Sequence, residues 1–243
     1  MPSSGRVDLQ TAFLLHTWAY RESSLLLDIF TPEFGRLRCV ARGARRPRAV
    51  LHGILLPFQP LLLSWFGKGE VKTLHQAEWQ AGIPQLGGDA LWCGFYLNEL
   101  LQRLLPVADP HPSLFFDYQM AIHSLAHNAH VAITVRRFEM QLLRHLGYAP
   151  NLTREAASGE PVNPQRWYVY VPEQGAVCLA DPKASLFPLQ GQTLLAMAAD
   201  DFSHPQTRQQ GRHLLRRLLN HYLGTTPLHS RQLLAQLLAL QET

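Results

Sequence analysis

Cysteine is scarce in this sequence, and so are long apolar runs. Three cysteines occur in 243 residues, and positions 39, 93 and 178 lie too far apart to indicate a disulfide framework or a paired zinc-binding motif. The first residues lack the apolar core of a signal peptide. The most apolar stretch, "ILLPFQPLLLSWF", is interrupted by two prolines and a glutamine, and it is shorter than the roughly 20 residues of a membrane span. We therefore expect a protein of a reducing, cytoplasmic compartment without a membrane span.

Recognisable catalytic motifs are absent as well. The sequence contains no Walker A motif, no G-x-S-x-G, no H-E-x-x-H and no Rossmann glycine fingerprint. A metal nuclease needs converging acids, whereas Asp8, Asp28 and Glu33 are scattered over predicted strand ends. Among twelve histidines, His123 and His127 have the spacing of metal ligands on one helix face, but no carboxylate or cysteine accompanies them. We expect no catalytic site, no cofactor and no metal, with a metal at the histidine pair as the alternative.

Positive charge is concentrated near the N-terminus. The net charge is +4; residues 1–80 contain ten Lys and Arg against six Asp and Glu, and the remainder contains twelve against twelve. Six of those ten basic residues lie in "GRLRCVARGARRPRAV", residues 35–50, which contains no acidic residue. Charge focused in this way indicates an anion-binding surface, and the alternative is a solvated loop that keeps the protein soluble.

The six arginines of this stretch fall into two groups. The first group, here called the strand arginines, shares one parity of a predicted strand whose other parity is apolar, so its side chains are expected on one strand face about 7 Å apart. The second group, the loop arginines, lies in the connection that follows and can adapt to different ligands. The strand arginines are Arg36, Arg38 and Arg42, and the loop arginines are Arg45, Arg46 and Arg48.

Residues 1–80 have the pattern of five short strands. Turns rich in Pro and Gly, such as "TPEFG" and "GKGE", separate these largely apolar runs. Five strands in about 80 residues suit a small barrel; the OB-fold is the expected one because it commonly binds oligonucleotides, and an SH3-like barrel is the alternative. The predicted strands are "TAFLLHTWAY", "SSLLLDIFT", "GRLRCVARGA", "QPLLLSWFG" and "EVKTLHQAEW".

The periodicity changes to that of helices after a linker, "QLGGDA". Three amphipathic helices follow, then a proline-rich segment with the alternating runs "RWYVYVP" and "GAVCLAD", and then further helices that end with "SRQLLAQLLALQ". The sequence therefore predicts an α+β multidomain protein. Its expected parts are a barrel (1–80), a first part of a helical bundle (85–149), a β-ribbon insertion (150–189) and C-terminal helices that complete the bundle (190–243).

Aromatic residues interleave with the basic residues of the predicted barrel. Proteins that bind single strands combine a basic groove for phosphates with rings on which bases stack. Because several rings must fill the barrel core, we expect about two of the five to lie on the surface. The five are Trp18, Tyr20, Phe34, Trp65 and Phe66.

The sequence resembles the bacterial RecO family of recombination mediators over nearly its whole length. The resemblance rests on "ESSLLLDIFTPEFGRLRCVARGAR", "GEVKTL", "YLNELLQRLLP", "LFFDY", "RRFEMQLLRHLGY" and "SGEPV". It implies a nucleoid-associated, non-enzymatic protein that binds single- and double-stranded DNA, anneals complementary strands and, with RecR, helps to load RecA onto DNA coated by the single-strand binding protein SSB. A metal-dependent nucleic-acid enzyme and an RNA-binding OB protein are the alternatives. The expected DNA contacts are the strand arginines, the loop arginines, Lys68 and Lys72.

Two further family features bear on this chain. Many members carry a four-cysteine zinc knuckle in the ribbon, but here only Cys178 remains, while Ala156 and Gly159 stand near the positions of the first cysteine pair. One thiolate cannot replace a tetrahedral ligand set, so we predict no structural zinc.

The family also binds the acidic C-terminal tail of SSB on its helical domain, and Arg136 and Arg137 match that motif. Consecutive helix residues diverge, so we expect one of the two to face the tail; the alternative is a surface pair bonded to nearby carboxylates.

Overall fold

The computed structural model describes residues 5–80, 82–127 and 130–233. The chain divides into two compact units, one drawn from Met1–Val131 and Leu228–Thr243 and the other from Ala132–Pro227. The division falls inside the helical region predicted from the sequence. None of the helices within the described ranges is both long enough and apolar enough to cross a membrane.

The first unit contains a closed five-stranded barrel in the order β1-β2-β3-β5-β4. Strands β3 and β5 are parallel, and all other neighbouring pairs are antiparallel. Alternate residues of these strands fill the barrel interior, which is the pattern that the sequence predicted. The prediction of an N-terminal OB-type barrel is confirmed. The strands are β1 (Val7–Tyr20), β2 (Ser24–Thr31), β3 (Gly35–Ala41), β4 (Pro60–Phe66) and β5 (Val71–Trp79).

The first unit also contains three helices and a helical segment at residues 229–233. A short α1 (Leu51–Ile54) lies between β3 and β4, and α2 (Gly88–Leu104) and α3 (Pro112–Ala126) follow the barrel. Helix α3 begins at Pro112, because proline is favoured at the first helical position.

Part of the barrel's outer wall is covered by these helices. Phe13 of β1 packs against Phe115 and Tyr118 of α3, with ring centroids 5.6 and 5.1 Å away. The start of β3 lies against the segment after α2: Gly35 has a φ of +65°, and a Cβ there would lie 2.0 Å from the carbonyl oxygen of Asp109. Glycine therefore allows both the turn and the close approach. Elsewhere the outer wall carries exposed side chains, among them Trp18, Arg38 and Phe66.

The second unit combines helices with a small three-stranded sheet in the order β7-β6-β8. The predicted ribbon is present, and Tyr168 anchors it because its hydroxyl donates to Glu155 Oε1 and accepts from the backbone N–H of Asn163, both at 2.9 Å. The predicted last helix is helical at residues 229–233, which belong to the first unit, and its remainder lies outside the described residues. The elements are α4 (Val131–His145), β6 (Trp167–Val171), β7 (Gly175–Leu179), β8 (Leu189–Gln190), α5 (Gly191–Ala198) and α6 (Pro205–Leu223).

Candidate nucleic-acid interface

One outward-facing row of apolar side chains crosses all five strands of the barrel. The strand register pairs its members in sequence across β1, β2, β3, β5 and β4, and their sequence neighbours Leu27 and Cys39 point into the core. Strands lie about 4.8 Å apart, so the row forms a continuous strip across the wall. We call it the apolar row; it consists of Trp18, Leu26, Val40, Thr73 and Phe66.

The two ends of the apolar row are exposed aromatic rings. Trp18 is 39% exposed and Phe66 is 41% exposed. Trp65, by contrast, is buried, and Phe34 packs against it with ring centroids 5.3 Å apart. Tyr20 has intermediate burial. The expectation that about two of these five rings lie on the surface therefore agrees with the structure, which now identifies them.

Two exposed arginines lie beside the middle of the apolar row. Arg38 precedes the row's Val40 by two residues on β3, so it lies about 7 Å from the row along the strand. Arg42 was predicted on the same strand, but β3 ends at Ala41 and Arg42 lies in the turn that follows. Both side chains are exposed. The row therefore has exposed rings at its two ends and guanidinium groups beside its middle strand, and these are contact types for bases and for phosphates respectively.

Arg36 does not share this exposed surface, which corrects the expectation that all three strand arginines face solvent. It is only 8% exposed, its Nη1 donates to the carbonyl oxygen of Gln102 in α2, and its Nε lies 3.7 Å from Oδ1 of Asp28, which is 2% exposed. Burial raises the pKa of Asp28, while the positive charges of Arg36 and Arg38 oppose that rise. Strand parity correctly put Arg36 on the outer wall, but α2 and the segment after it cover the wall there.

The loop arginines lie in the connection between β3 and α1, and all three are exposed. Arg45 ties this connection to the β1–β2 turn, because its backbone N–H donates to the carbonyl oxygen of Ser23 (2.9 Å) and its Nη1 donates to that of Arg21 (3.2 Å). Arg21 is itself exposed, and its guanidinium lies 5.2 Å from the ring centroid of Tyr20. Two loops thus bring their cations together beside the barrel.

Arg21 was not among the DNA contacts predicted from the sequence, and Trp18 was one of five candidate rings from which the sequence analysis did not choose. The run "HTWAY" does alternate in the way that places Trp18 on the outer wall, so strand parity could have found the tryptophan. Arg21 becomes part of the basic surface only through its contact with the β3–α1 connection, and that contact has no signal in the sequence.

The two predicted lysines differ in their surroundings. Lys68 is exposed in the β4–β5 hairpin. Lys72 is partly buried, its Nζ donates to the carbonyl oxygen of Gly69 (2.7 Å), and it pairs in register with Cys39 of the core. Burial raises the pKa of the Cys39 thiol to about 12, and the Lys72 charge opposes this effect. Of the two, Lys68 is the one available for an external anion.

Arg136 and Arg137 lie on α4 of the second unit and point to different partners. Arg136 Nη1 lies 2.6 Å from Oε2 of the buried Glu139, and Arg137 Nε lies 2.9 Å from Oδ2 of Asp200. The Arg136 side chain is 15% exposed and that of Arg137 is 54% exposed. The two side chains point in different directions, as expected for consecutive residues of a helix, and Arg137 is the more accessible of the two.

The described residues offer no group of three or more His, Cys, Asp and Glu side chains that is arranged to hold a metal ion. The rings of His123 and His127 lie 4.3 Å apart, and Cys178 is exposed on β7. Neither residue type gathers further ligands around it within these ranges.

Comparisons with known proteins agree with this architecture. The family model of the recombination protein O N-terminal region matches residues 8–83, and that of the C-terminal region matches residues 86–232. A DNA repair protein RecO from Aromatoleum aromaticum is 51% identical over 98% of this chain and 99% of its own. One from Azoarcus sp. is 48% identical over 97% and 98%, and one from Chromobacterium violaceum is 46% identical over the full length of both chains.

Proposed function

The chain belongs to the recombination protein O family of DNA repair proteins, and we propose from that premise that it binds single- and double-stranded DNA and anneals complementary single strands. Within the same proposal it acts as a recombination mediator. It cooperates with RecR and helps to load RecA onto DNA coated by SSB, without catalytic turnover of its own.

The open barrel wall carries this proposal. The apolar row ends in two exposed rings, Trp18 and Phe66, and is bordered by Arg38 and Arg42. Rings accept the faces of any base, and guanidinium groups contact the phosphates that accompany them. Such a surface favours flexible single strands whose bases are unpaired, and it favours no particular sequence.

The loop arginines suit a different part of the task. They lie in an exposed connection and therefore reach the backbone of either a single strand or a duplex. Two strands that approach each other are both polyanions, so annealing requires positive charge that neutralises their repulsion. This requirement is met by side-chain charge alone, which is why the proposed activity needs no nucleophile, base or metal.

Partner binding is proposed for the second unit. The exposed Arg137 is held by the carboxylate of Asp200 at 2.9 Å, and a carboxylate from an acidic peptide tail can take the place of that partner. We assign the SSB tail to this part of α4, and its neighbour Arg136 supports α4 through the buried Glu139.

A strand-annealing assay on complementary DNA strands precoated with SSB tests the proposal most directly. The protein is expected to accelerate duplex formation equally with magnesium and with a chelator, and the double variant Arg38→Ala, Arg42→Ala is expected to be slower. The control is a variant with Arg144→Ala and Arg166→Ala, which removes the same charge from exposed positions of the second unit.

Other outcomes would contradict the proposal in distinct ways. Chain cleavage that depends on a divalent metal would identify a nucleic-acid enzyme. A clear preference for structured RNA over single-stranded DNA would identify an RNA-binding barrel. If strands anneal no faster with the protein than without it, in the presence and in the absence of SSB, the proposal of a strand-annealing function is refuted.

A further inference from the structure

A second basic surface lies far from the barrel arginines in sequence. Between residues 202 and 241 the chain contains no acidic residue, and it contains five arginines. Four of these arginines belong to α6, at positions 208, 212, 216 and 217. Residues 81–243 contain twelve basic and twelve acidic residues, so their net charge is zero. This total hides the basic segment 202–241, because all twelve acidic residues lie outside it.

Helix α6 is strongly two-sided. Leu214, Leu215, Leu218 and Leu219 are buried, while Arg212, Arg216 and Arg217 are exposed. Within the described ranges these three arginines make no ion pair or hydrogen bond. Arg208, one turn before them, is different because its guanidinium donates to the backbone carbonyl oxygens of Phe202 and Ser203. Three guanidinium groups are therefore available to an external anion.

Two acidic residues close to the ends of α6 do not neutralise this face. Glu173, beyond β6, pairs with His221 near the end of α6, at 3.1 Å. Asp200, before α6, pairs with Arg137 at 2.9 Å. Both carboxylates are engaged by other cations, so the charge of the α6 arginines remains uncompensated by them.

An exposed ring pair adjoins the arginines. Phe187 is 48% exposed and stacks on His213 of α6, with ring centroids 5.7 Å apart and planes inclined by 27°. Both rings line a shallow groove together with Arg217 and Leu214. Arg212 and Arg216 are one helical turn apart, about 6 Å along the axis. Flat rings beside regularly spaced guanidinium groups repeat the combination that the barrel wall presents.

We infer that the exposed face of α6 is a second binding surface for single-stranded nucleic acid. Arg212, Arg216 and Arg217 contact phosphates, and the Phe187–His213 pair provides the stacking platform for a base. This inference rests on the proposed function, because annealing requires that one chain or its neighbours handle two strands. A nucleic acid fits better than an acidic peptide, since a peptide uses the charge but leaves the stacked ring pair without a planar partner.

The test counts bound strands. Wild-type protein, an α6 variant (R212A/R216A/R217A) and a barrel variant (W18A/R38A/R42A) are titrated at low salt with an oligothymidylate of about eight nucleotides, a length within the range bound by one OB-fold. Wild type is expected to bind two oligonucleotides per chain, and each variant one. Alanine preserves the helix, so circular dichroism of the α6 variant should match the wild type.

A matched control removes equal charge from the same unit. The variant R144A/R166A/K183A loses three exposed cations that do not lie together on one helix. It should keep two binding sites and the wild-type salt dependence. The overall salt slope of oligonucleotide binding should be lower in the α6 variant by up to about 2, from three lost contacts at about 0.7 each.

The outcomes separate this inference from the proposed function. If the wild type binds one oligonucleotide and only the barrel variant loses it, the α6 surface is overturned and the barrel proposal stays intact. If the wild type binds one oligonucleotide and only the α6 variant loses it, the α6 surface is supported and binding at the barrel is refuted. Two sites retained in the α6 variant overturn the inference. If the α6 variant loses binding to a poly-glutamate peptide while its oligonucleotide binding is unchanged, the surface binds an acidic protein instead. This outcome also overturns the inference.

Discussion

Arg36 Nε lies 3.7 Å from Asp28 Oδ1 in a part of the first unit where both side chains are buried. The same guanidinium also donates to the carbonyl oxygen of Gln102, so Arg36 links β3, β2 and α2. This relationship separates Arg36 from Arg38, which is only two residues away on the same face of β3. The first arginine stabilises the fold, and the second is available to a ligand.

Replacement of Arg36 by alanine is expected to lower the free energy of unfolding by about 3–5 kcal/mol, because it leaves the buried Asp28 without its ion-pair partner. Urea denaturation measures the change. Arg38→Ala is the matched control and should change stability by less than about 0.5 kcal/mol. The joint replacement Arg36→Met and Asp28→Leu should cost much less than Arg36→Ala, since it leaves no buried charge. Equal stability of all three variants would show that the pair has no structural role.

Replacement of all three loop arginines by alanine should flatten the dependence of log K on log[salt] for single strands by up to about 2, since each lost phosphate contact removes about 0.7. Annealing should slow, and the fold should survive because these exposed side chains bury little surface. Titrations at several salt concentrations provide the slope. A wild-type slope together with a wild-type annealing rate would mean that this connection is only a solvated loop.

Trp18→Ala is expected to weaken binding of single-stranded DNA by about 1–3 kcal/mol, the range for loss of one base-stacking ring. Duplex binding should change little, because paired bases do not present their faces. Phe66→Ala should behave in the same way at the other end of the apolar row. Fluorescence anisotropy with single- and double-stranded probes of equal length makes the comparison, and equal losses on both probes would contradict a stacking role.

The double variant Arg136→Ala, Arg137→Ala should weaken binding of an SSB tail peptide by about 1.5–3 kcal/mol, the range for a charge-assisted hydrogen bond, with little effect on DNA affinity. Arg137→Ala alone should account for most of the loss, since its side chain is the exposed one. Arg144→Ala on the same helix is the control. Unchanged peptide affinity combined with a collapse of DNA affinity would place the DNA surface on α4.

Cys39 should stay unreactive towards a thiol reagent at pH 8 in a Cys93→Ser background, because burial raises its pKa to about 12 and the thiolate is the reactive form. The exposed Cys178 should react alone, and Cys39 should become reactive when denaturant unfolds the protein.

The raised pKa of Cys39 also makes the free energy of unfolding depend on pH. The stabilisation from the buried neutral thiol is complete below about pH 9 and declines as the pH rises towards 12. Rapid reaction of two thiols in the folded protein would contradict the buried position.

The barrel and most of its strands could be predicted from the sequence, because alternation and turn residues are local signals. The exposure of each arginine could not be predicted in the same way. Parity assigned Arg36 and Arg38 to one face, but only the tertiary position of α2 decides that the first is covered. The α6 arginines illustrate the opposite case: the signal was present in the sequence, and a charge count over too long a window averaged it away.

The closed barrel limits how another protein can attach to the first unit. Each of its five strands has a hydrogen-bonded strand on both sides over part of its length, so the barrel has no edge strand that is free along its whole length. A partner therefore finds no full-length edge to extend with a strand of its own, which is a common way of capturing extended peptides. Recognition at the barrel depends mainly on side chains and on loops. Competition between DNA and a protein partner is consequently a competition for the same exposed rings and guanidinium groups, and single substitutions such as Trp18→Ala can shift its balance.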